Sequence, residues 1–224
     1  RTAGPRDLFN IRNWIPDASM ARAIIRVPVV LFNRSQDMDD ISSVTSDNFE
    51  GGRKVAHLLC DLGHERIGYI AGWEGASTQR DREAGFLSGL ATHNKTLSAR
   101  EVGDFHADRT KTATLAMFDK PANERPDAVF VANDHMAFVV MDILRHDLGL
   151  RVPADISVVG YDDVPPAAWR SYDLTTVRQR ANLMVEQTVA TILDHIENPT
   201  QMIPKKIQIN SPLIIRSSTR QERK

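Results

Sequence analysis

Two adjacent carboxylates, Asp162 and Asp163, close the apolar run "DISVVGYDD" and lead into Val-Pro-Pro. Such a pair can hold a metal, share a proton in acid/base work, or accept hydrogen bonds from a ligand. Side chains at successive strand positions point to opposite sides, which argues against one shared metal or one shared proton. Other polar groups follow strand-like runs in the same way. Arg80 and Arg82 come after "YIAG", Asn133 and Asp134 after "VFVA", and Gln179 after "LTTVR". In open α/β sheets, ligands bind beyond the carboxyl ends of the strands. A guanidinium fork, an amide with donor and acceptor, and a carboxylate that accepts hydroxyl protons together suit a small polyhydroxylated molecule. Phe105, in "GDFHAD", adds a ring face that packs on the C–H side of a sugar or on a planar base. Each residue also has an ordinary reading. Asn133 or Asp134 can cap a helix, Arg82 can be a solvated helix charge, and Asp162-Asp163 can shape a turn.

Catalytic signatures are absent. There is no GxGxxG after a strand, no GxxxxGK[ST] loop, no GxSxG elbow and no HExxH. The seven histidines are scattered. The one cysteine, Cys60, has no partner for a disulfide or a zinc site, which fits a reducing compartment. Neither a metal nor a cofactor is expected.

The elements that must position these groups alternate. Val27 to Asn33, Arg66 to Gly72, Asp127 to Asn133 and Asp155 to Tyr161 are short β-branched runs of the kind that strands buried on both faces require. Amphipathic helical patterns lie between them. Asp47 and Glu50 have capping-box spacing, with Val55, Leu58, Leu59 and Leu62 on one face and Gly63 as a stop. A second pattern turns Ala137, Val140, Met141 and Leu144 inward and ends at Gly149. A third carries Val185, Val189, Ile192 and Ile196 as its inward stripe before Asn198-Pro199. Ser77 or Thr78 is placed to cap a helix that holds Arg80 and Arg82. The sum is an α/β fold with right-handed crossovers. Arg1 to Arg26 breaks this order, with only a short helical pattern, "DASMARAII".

The chain has 224 residues, 42% of them hydrophobic and 25% charged, which is the composition of a globular protein of one large domain or two lobes. With 28 basic and 29 acidic residues it lacks the basic excess that phosphate binding needs, so this segment alone is expected to bind DNA poorly. No apolar stretch reaches the ~20 residues that span a bilayer, and "RTAGPRDLFN" lacks the apolar core of a signal peptide. The expectation is a cytoplasmic protein with no membrane partner.

Five stretches, taken in order and spacing, resemble the effector-binding domain of LacI/GalR-family transcription regulators. They are "SDNFEGGRKVAHLLCDLGHERIGYIAG", "STQRDREAGFLSGL", "PDAVFVANDHMAFVVMDIL", "VPADISVVGYDDVPPAAWRSYDLTTVRQ" and "SPLIIRSST". The resemblance runs from about Val27 to Thr219. It implies a two-lobed, periplasmic-binding-protein-like α/β fold, parallel sheets flanked by helices, three crossovers, and a small-molecule effector in the cleft. By the same resemblance Arg82 matches the ligand-gripping arginine and Asp162 the ligand-binding aspartate. Asn133 matches a polar strand end, Phe105 an aromatic position, and Gln179 and Asp47 cleft or crossover positions. Asp163 is assigned to ordering the Val-Pro-Pro turn. The expected organisation is a poorly matched segment 1–26, an N-terminal-lobe remnant 27–63, the main C-terminal lobe 64–162, a return 163–178, and crossover and C-terminal segment 179–224. The chain lacks a helix-turn-helix and the opening of the N-terminal lobe. Operator DNA would therefore be met only through a separate N-terminal domain, and the full-length protein is expected to be a homodimer. Two other readings are a periplasmic solute-binding protein, which shares the fold, and an enzyme using Asp162 and Asp163, which lacks an accompanying base, nucleophile or phosphate loop.

Overall fold

The computed structural model describes residues 28–36, 40–199 and 203–221. The expected helical pattern in "DASMARAII" and the segment 1–26 lie outside the described residues.

The strands follow the apolar runs. β1 is Val30–Phe32, β2 Ser42–Ser46, β3 Ile67–Ala71, β4 Ala99–Val102, β5 Ala128–Val131, β6 Ser157–Asp162, β7 Thr175–Arg178, β8 Lys206–Ile209 and β9 Leu213–Ile214. Helices α1 (Asn48–Asp61), α2 (Ser77–Thr92), α3 (Ala107–Phe118), α4 (Asp134–Asp142) and α5 (Ala181–Glu197) separate them. The result is an α/β fold with predominantly parallel sheets flanked by helices. β3 and β5 are buried at every position, and β6 at all but its last, as runs with apolar residues on both faces demand.

The chain forms two compact units, one of Arg1–Thr45 with Asn182–Gln208 and a second of Ser46–Ala181 with Ile209–Lys224. The chain thus passes between units three times. Helix α1 falls in the second unit, whereas the expected boundary at residue 63 set it with the first.

The second unit is built on a six-stranded sheet of order β4-β3-β5-β6-β7-β9. The first five strands are parallel, and β9 runs antiparallel to β7, pairing Thr176 with Ile214 and Val177 with Leu213. Tyr69, Phe86 and Phe130 form its aromatic centre, with ring centroids 4.9–5.7 Å apart. The strand entrances are held separately. The Asp127 carboxylate accepts the backbone N–H groups of Arg66 (3.1 Å) and Glu65 (3.3 Å), and lies 3.5 Å from Nδ1 of the buried His64. Burial alone would raise this carboxyl, but His64 and the two N–H donors outweigh it and hold Asp127 at about 2.

Local signals are followed closely in α1 and α4. The Asp47 carboxylate accepts the Glu50 N–H at 3.0 Å, and Gly63 takes the left-handed conformation, φ +75°, that ends the helix. Ala137, Val140 and Met141, and Leu144 in the π-helical turn Ile143–Asp147 that continues α4, are fully buried as their spacing predicts. In α2 the residue before the first turn is Ala76, which makes no side-chain cap, so neither Ser77 nor Thr78 takes the expected capping position.

Helix α5, in the first unit, departs from expectation. Val185, Val189 and Ile196 are half or more exposed, and the buried residues are Met184, Thr191 and His195. The face turned inward among the described residues is therefore a mixed one, and the apolar stripe stands beside it. The other sheet of the fold, of order β1-β2-β8, is edged by short strands.

Helices α1 and α2 approach backbone to backbone. A Cβ on Gly52 would strike the Arg82 carbonyl, and one on Gly85 the Phe49 carbonyl. Both obstructing atoms are main chain and cannot swing aside. Gly85→Ala is therefore expected to cost about 1–3 kcal/mol by forcing the helices apart, read as a lowered midpoint in urea unfolding. Alanine at the open Gly63 meets no atom and would carry only the conformational penalty of a positive φ.

Candidate functional site

The carboxyl ends of β5 and β6 and the start of α1 converge on Arg82 of α2. This guanidinium is 3% exposed. Its Nε donates to Asn48 Oδ1 (2.8 Å), its Nη1 to the Ala132 carbonyl (2.7 Å), and its Nη2 lies 3.4 Å from Asp162 Oδ1. Its Cζ sits 3.7 Å from the centroid of the Tyr161 ring, a cation over an aromatic face. The reading of Arg82 as a solvated helix charge does not hold. Its planar fork meets an amide oxygen, a main-chain carbonyl and a carboxylate at once, which a lysine cannot do.

Asp162 is the more open partner, with its side chain 21% exposed. It accepts a hydrogen bond from Gln179 Nε2, and Ser46 Oγ donates to Gln179 Oε1 at 3.1 Å. Asn48 Nδ2 in turn donates to the Ser46 carbonyl at 2.8 Å. Asp162, Gln179, Ser46, Asn48 and Arg82 thus close a ring of polar contacts within the second unit. Burial raises the Asp162 carboxyl, while the Arg82 cation and the Gln179 amide pull it down; the balance is a carboxyl above its ordinary value.

The two aspartates separate, as strand alternation suggests, but by a stronger device. Asp162 has φ 123° and Asp163 φ 57°, both in the region disfavoured for L-residues. Asp163 turns away to form ion pairs with Arg178 and, at 2.6 Å, with Arg216. The expectation that Asp163 orders the Val-Pro-Pro turn is corrected here. The Val164 N–H is taken by Asp134 Oδ2 at 2.9 Å, and Asp134 Oδ1 accepts the Thr176 hydroxyl at 2.6 Å.

The remaining candidates are placed as follows. Asn133 caps α4, its Oδ1 accepting the Met136 N–H at 2.9 Å, beside the Ala132 carbonyl that Arg82 holds. Phe105 is 38% exposed, and its ring lies over Gly72 at the end of β3, where any Cβ would collide with it. Trp73, next in sequence, is also exposed. Asp47 is occupied as the N-cap of α1 and is not joined to the Arg82 ring. Sequence reasoning missed Ser46, Asn48, Tyr161, Gln79 and the role of Asp134. Gln79 Oε1 accepts both the Tyr69 hydroxyl (3.0 Å) and the Gly72 N–H (2.9 Å), fixing the β3 terminus under Phe105. Only Tyr161 carried a signal, as the neighbour of Asp162.

Chemically the arrangement accepts hydrogen bonds at Asp162 and offers an apolar ring at Phe105. Among the described residues no group of three or more His, Cys, Asp and Glu side chains is arranged to hold a metal ion. No helix among them is long and apolar enough to cross a membrane.

Comparison with known proteins follows this geometry. Residues 55–219 match the periplasmic binding protein-like domain family. The chain is 35% identical over 195 residues to the HTH-type transcriptional repressor PurR of Yersinia enterocolitica, covering 86% of this chain and 56% of that protein. It is 32% identical over 206 residues to the PurR repressor of Shigella dysenteriae, covering 91% and 59%. It thus spans little more than half the length of these relatives. Among solved structures it is similar to the transcriptional regulator CelR in complex with cellobiose, with TM-score 0.78 and 32% identity over 86% of this chain and 59% of that one. It is also similar to the lac repressor dimer bound to operator and the anti-inducer ONPF, with TM-score 0.80 and 29% identity over 90% and 68%. The chain belongs to the periplasmic binding protein-like domain family, as a LacI-type effector-binding domain.

Burial and the charges of Asp162 and Asp163 push the Asp134 carboxyl up to about 6, against the pull of Thr176 and Val164. The ordinary value is 3.8, so between the two the folded chain holds a proton that the unfolded chain releases. This contribution to stability is therefore present at low pH and is lost as pH rises through about 6. The gap corresponds to at most ~3 kcal/mol. Urea unfolding across about pH 4 to pH 7 should show wild type losing stability relative to Asp134→Asn, whose amide does not titrate. Asp127, with its lowered carboxyl, acts with the opposite sign and only below its ordinary value of 3.8.

Proposed function

We propose that the chain is the ligand-sensing part of a bacterial transcription regulator and binds a small polar effector, a sugar or related hydroxylated metabolite. The observation that carries this reading is the Arg82–Asp162–Gln179 cluster at the strand ends, with Phe105 exposed nearby. Asp162 accepts effector hydroxyl protons, Arg82 fixes Asp162 from the buried side, and Phe105 packs on the apolar face of the ligand. Asn133 and Gln179 supply amide contacts from the flanking strand ends, and Asp47 acts at the border of the site. The cellobiose complex of CelR supports a carbohydrate class.

Effector bound more tightly to one conformation shifts the population toward it, and a separate helix-turn-helix domain reads the shift as altered operator affinity. The repressor relatives and the operator-bound dimer support a homodimer acting on DNA in the cytoplasm. They also favour a regulator over a transporter's solute-binding protein, and a binding protein over an enzyme.

Calorimetry on the complete regulator, titrated with cellobiose, ribose and a panel of further sugars and nucleobases, tests this. Asp162→Asn is expected to weaken the effector so identified by roughly 10- to 100-fold, the value of a charged hydrogen bond. Phe105→Ala should weaken it by a smaller factor. Binding unchanged in both Asp162→Asn and Arg82→Ala would overturn the assignment.

A further inference from the structure

The Asp134 side chain is not needed where it stands. Asn133 already caps α4, and Asp134, the first residue of that helix, sends both carboxylate oxygens away from it. Oδ1 takes the Thr176 hydroxyl of β7 and Oδ2 takes the Val164 N–H of the segment after β6. The residue is fully buried, and Gly160 of β6 leaves room for it, since a Cβ there would collide with Oδ1. Asp162 and Asp163 immediately precede the Val164 anchor, and both are held at positive φ without being glycine. A backbone in that region persists only where its surroundings over-determine it. Asp163 is secured from one side by Arg178 and Arg216.

We propose that Asp134 is a positioning residue of the ligand site: by tying the Val164 N–H to the Thr176 hydroxyl it holds the turn that aims the Asp162 carboxylate at Arg82 and Gln179. The inference rests on reading Asp162 as the ligand-facing acceptor, but the geometry it asserts exists without ligand.

It is tested on the ligand-free chain by NMR of the Arg82 guanidinium and the Gln179 side-chain amide, assigned through Arg82→Lys and Gln179→Glu. Asp134→Ala is expected to shift and broaden both sets of signals while the backbone amides of Ile70 and Val129, deep in β3 and β5, stay in place. Asp134→Asn should restore the wild-type positions, because its amide oxygen still accepts the Val164 N–H and the Thr176 hydroxyl can turn to accept from its NH2. Should the alanine variant not fold, Thr176→Val removes one anchor alone and is expected to move the same two signals by less. Arg82 and Gln179 signals that stay put in the folded variants would overturn the proposal. So would an Asp134→Ala spectrum in which Ile70 and Val129 move along with them, or an asparagine variant that fails to restore. None of these outcomes depends on an effector, so loss of this inference and loss of the ligand assignment are separable.

Discussion

A single buried cation organises the strand-end face of the second unit. Removing a guanidinium from water is costly unless its donors are matched, and the groups that match Arg82 come from three different parts of the fold. Asn48 opens α1, Ala132 follows β5, and β6 supplies both Asp162 at its end and the Tyr161 ring beneath. The charge therefore dictates where these elements stop relative to one another. The helix contact at Gly52 and Gly85 brings the Arg82 main chain within reach of α1, so the cation and its Asn48 partner share one frame.

The two ends of the same sheet solve opposite problems. At the strand entrances, Asp127 collects N–H donors and an imidazole, and its carboxyl falls to about 2. At the exits, burial raises both Asp134 and Asp162, and at Asp134 the neighbouring carboxylates Asp162 and Asp163 add to it. One end is a clamp that holds its charge at any ordinary pH. The other raises its carboxyls, so that Asp134 changes charge as pH passes about 6.

What the sequence makes legible is whatever repeats with a period or sits at a cap. β3, β5 and β6 are continuous apolar runs, and α1 and α4 carry cap, stripe and stop in register, so their existence and order follow from local pattern alone. Asp162 and Arg82 were found because they punctuate such runs. β2 was not legible, because its "SSVTS" is small and polar although every residue is buried. Ser46 and Asn48 went unnoticed for the same reason, since their roles come from main-chain and amide contacts that no spacing encodes. The turn after β6 is not ordered by Asp163, as its position suggests, because it is tied by Asp134, thirty positions before Val164. The stripe of α5 failed for a different cause: periodicity identifies an apolar face but not what it meets, and among the described residues Met184, Thr191 and His195 turn inward instead.

The glycine contact between α1 and α2 divides the molecule into parts that can and cannot diversify. With no side chain at the crossing, its geometry has no volume to tune, and any substitution there shifts α1 and α2 together. Phe105 lies outside both that crossing and the ring of contacts around Arg82, and can be replaced without moving the frame. A scaffold of this kind can exchange its exposed rim residues one at a time while the buried cation beneath keeps the same coordinates.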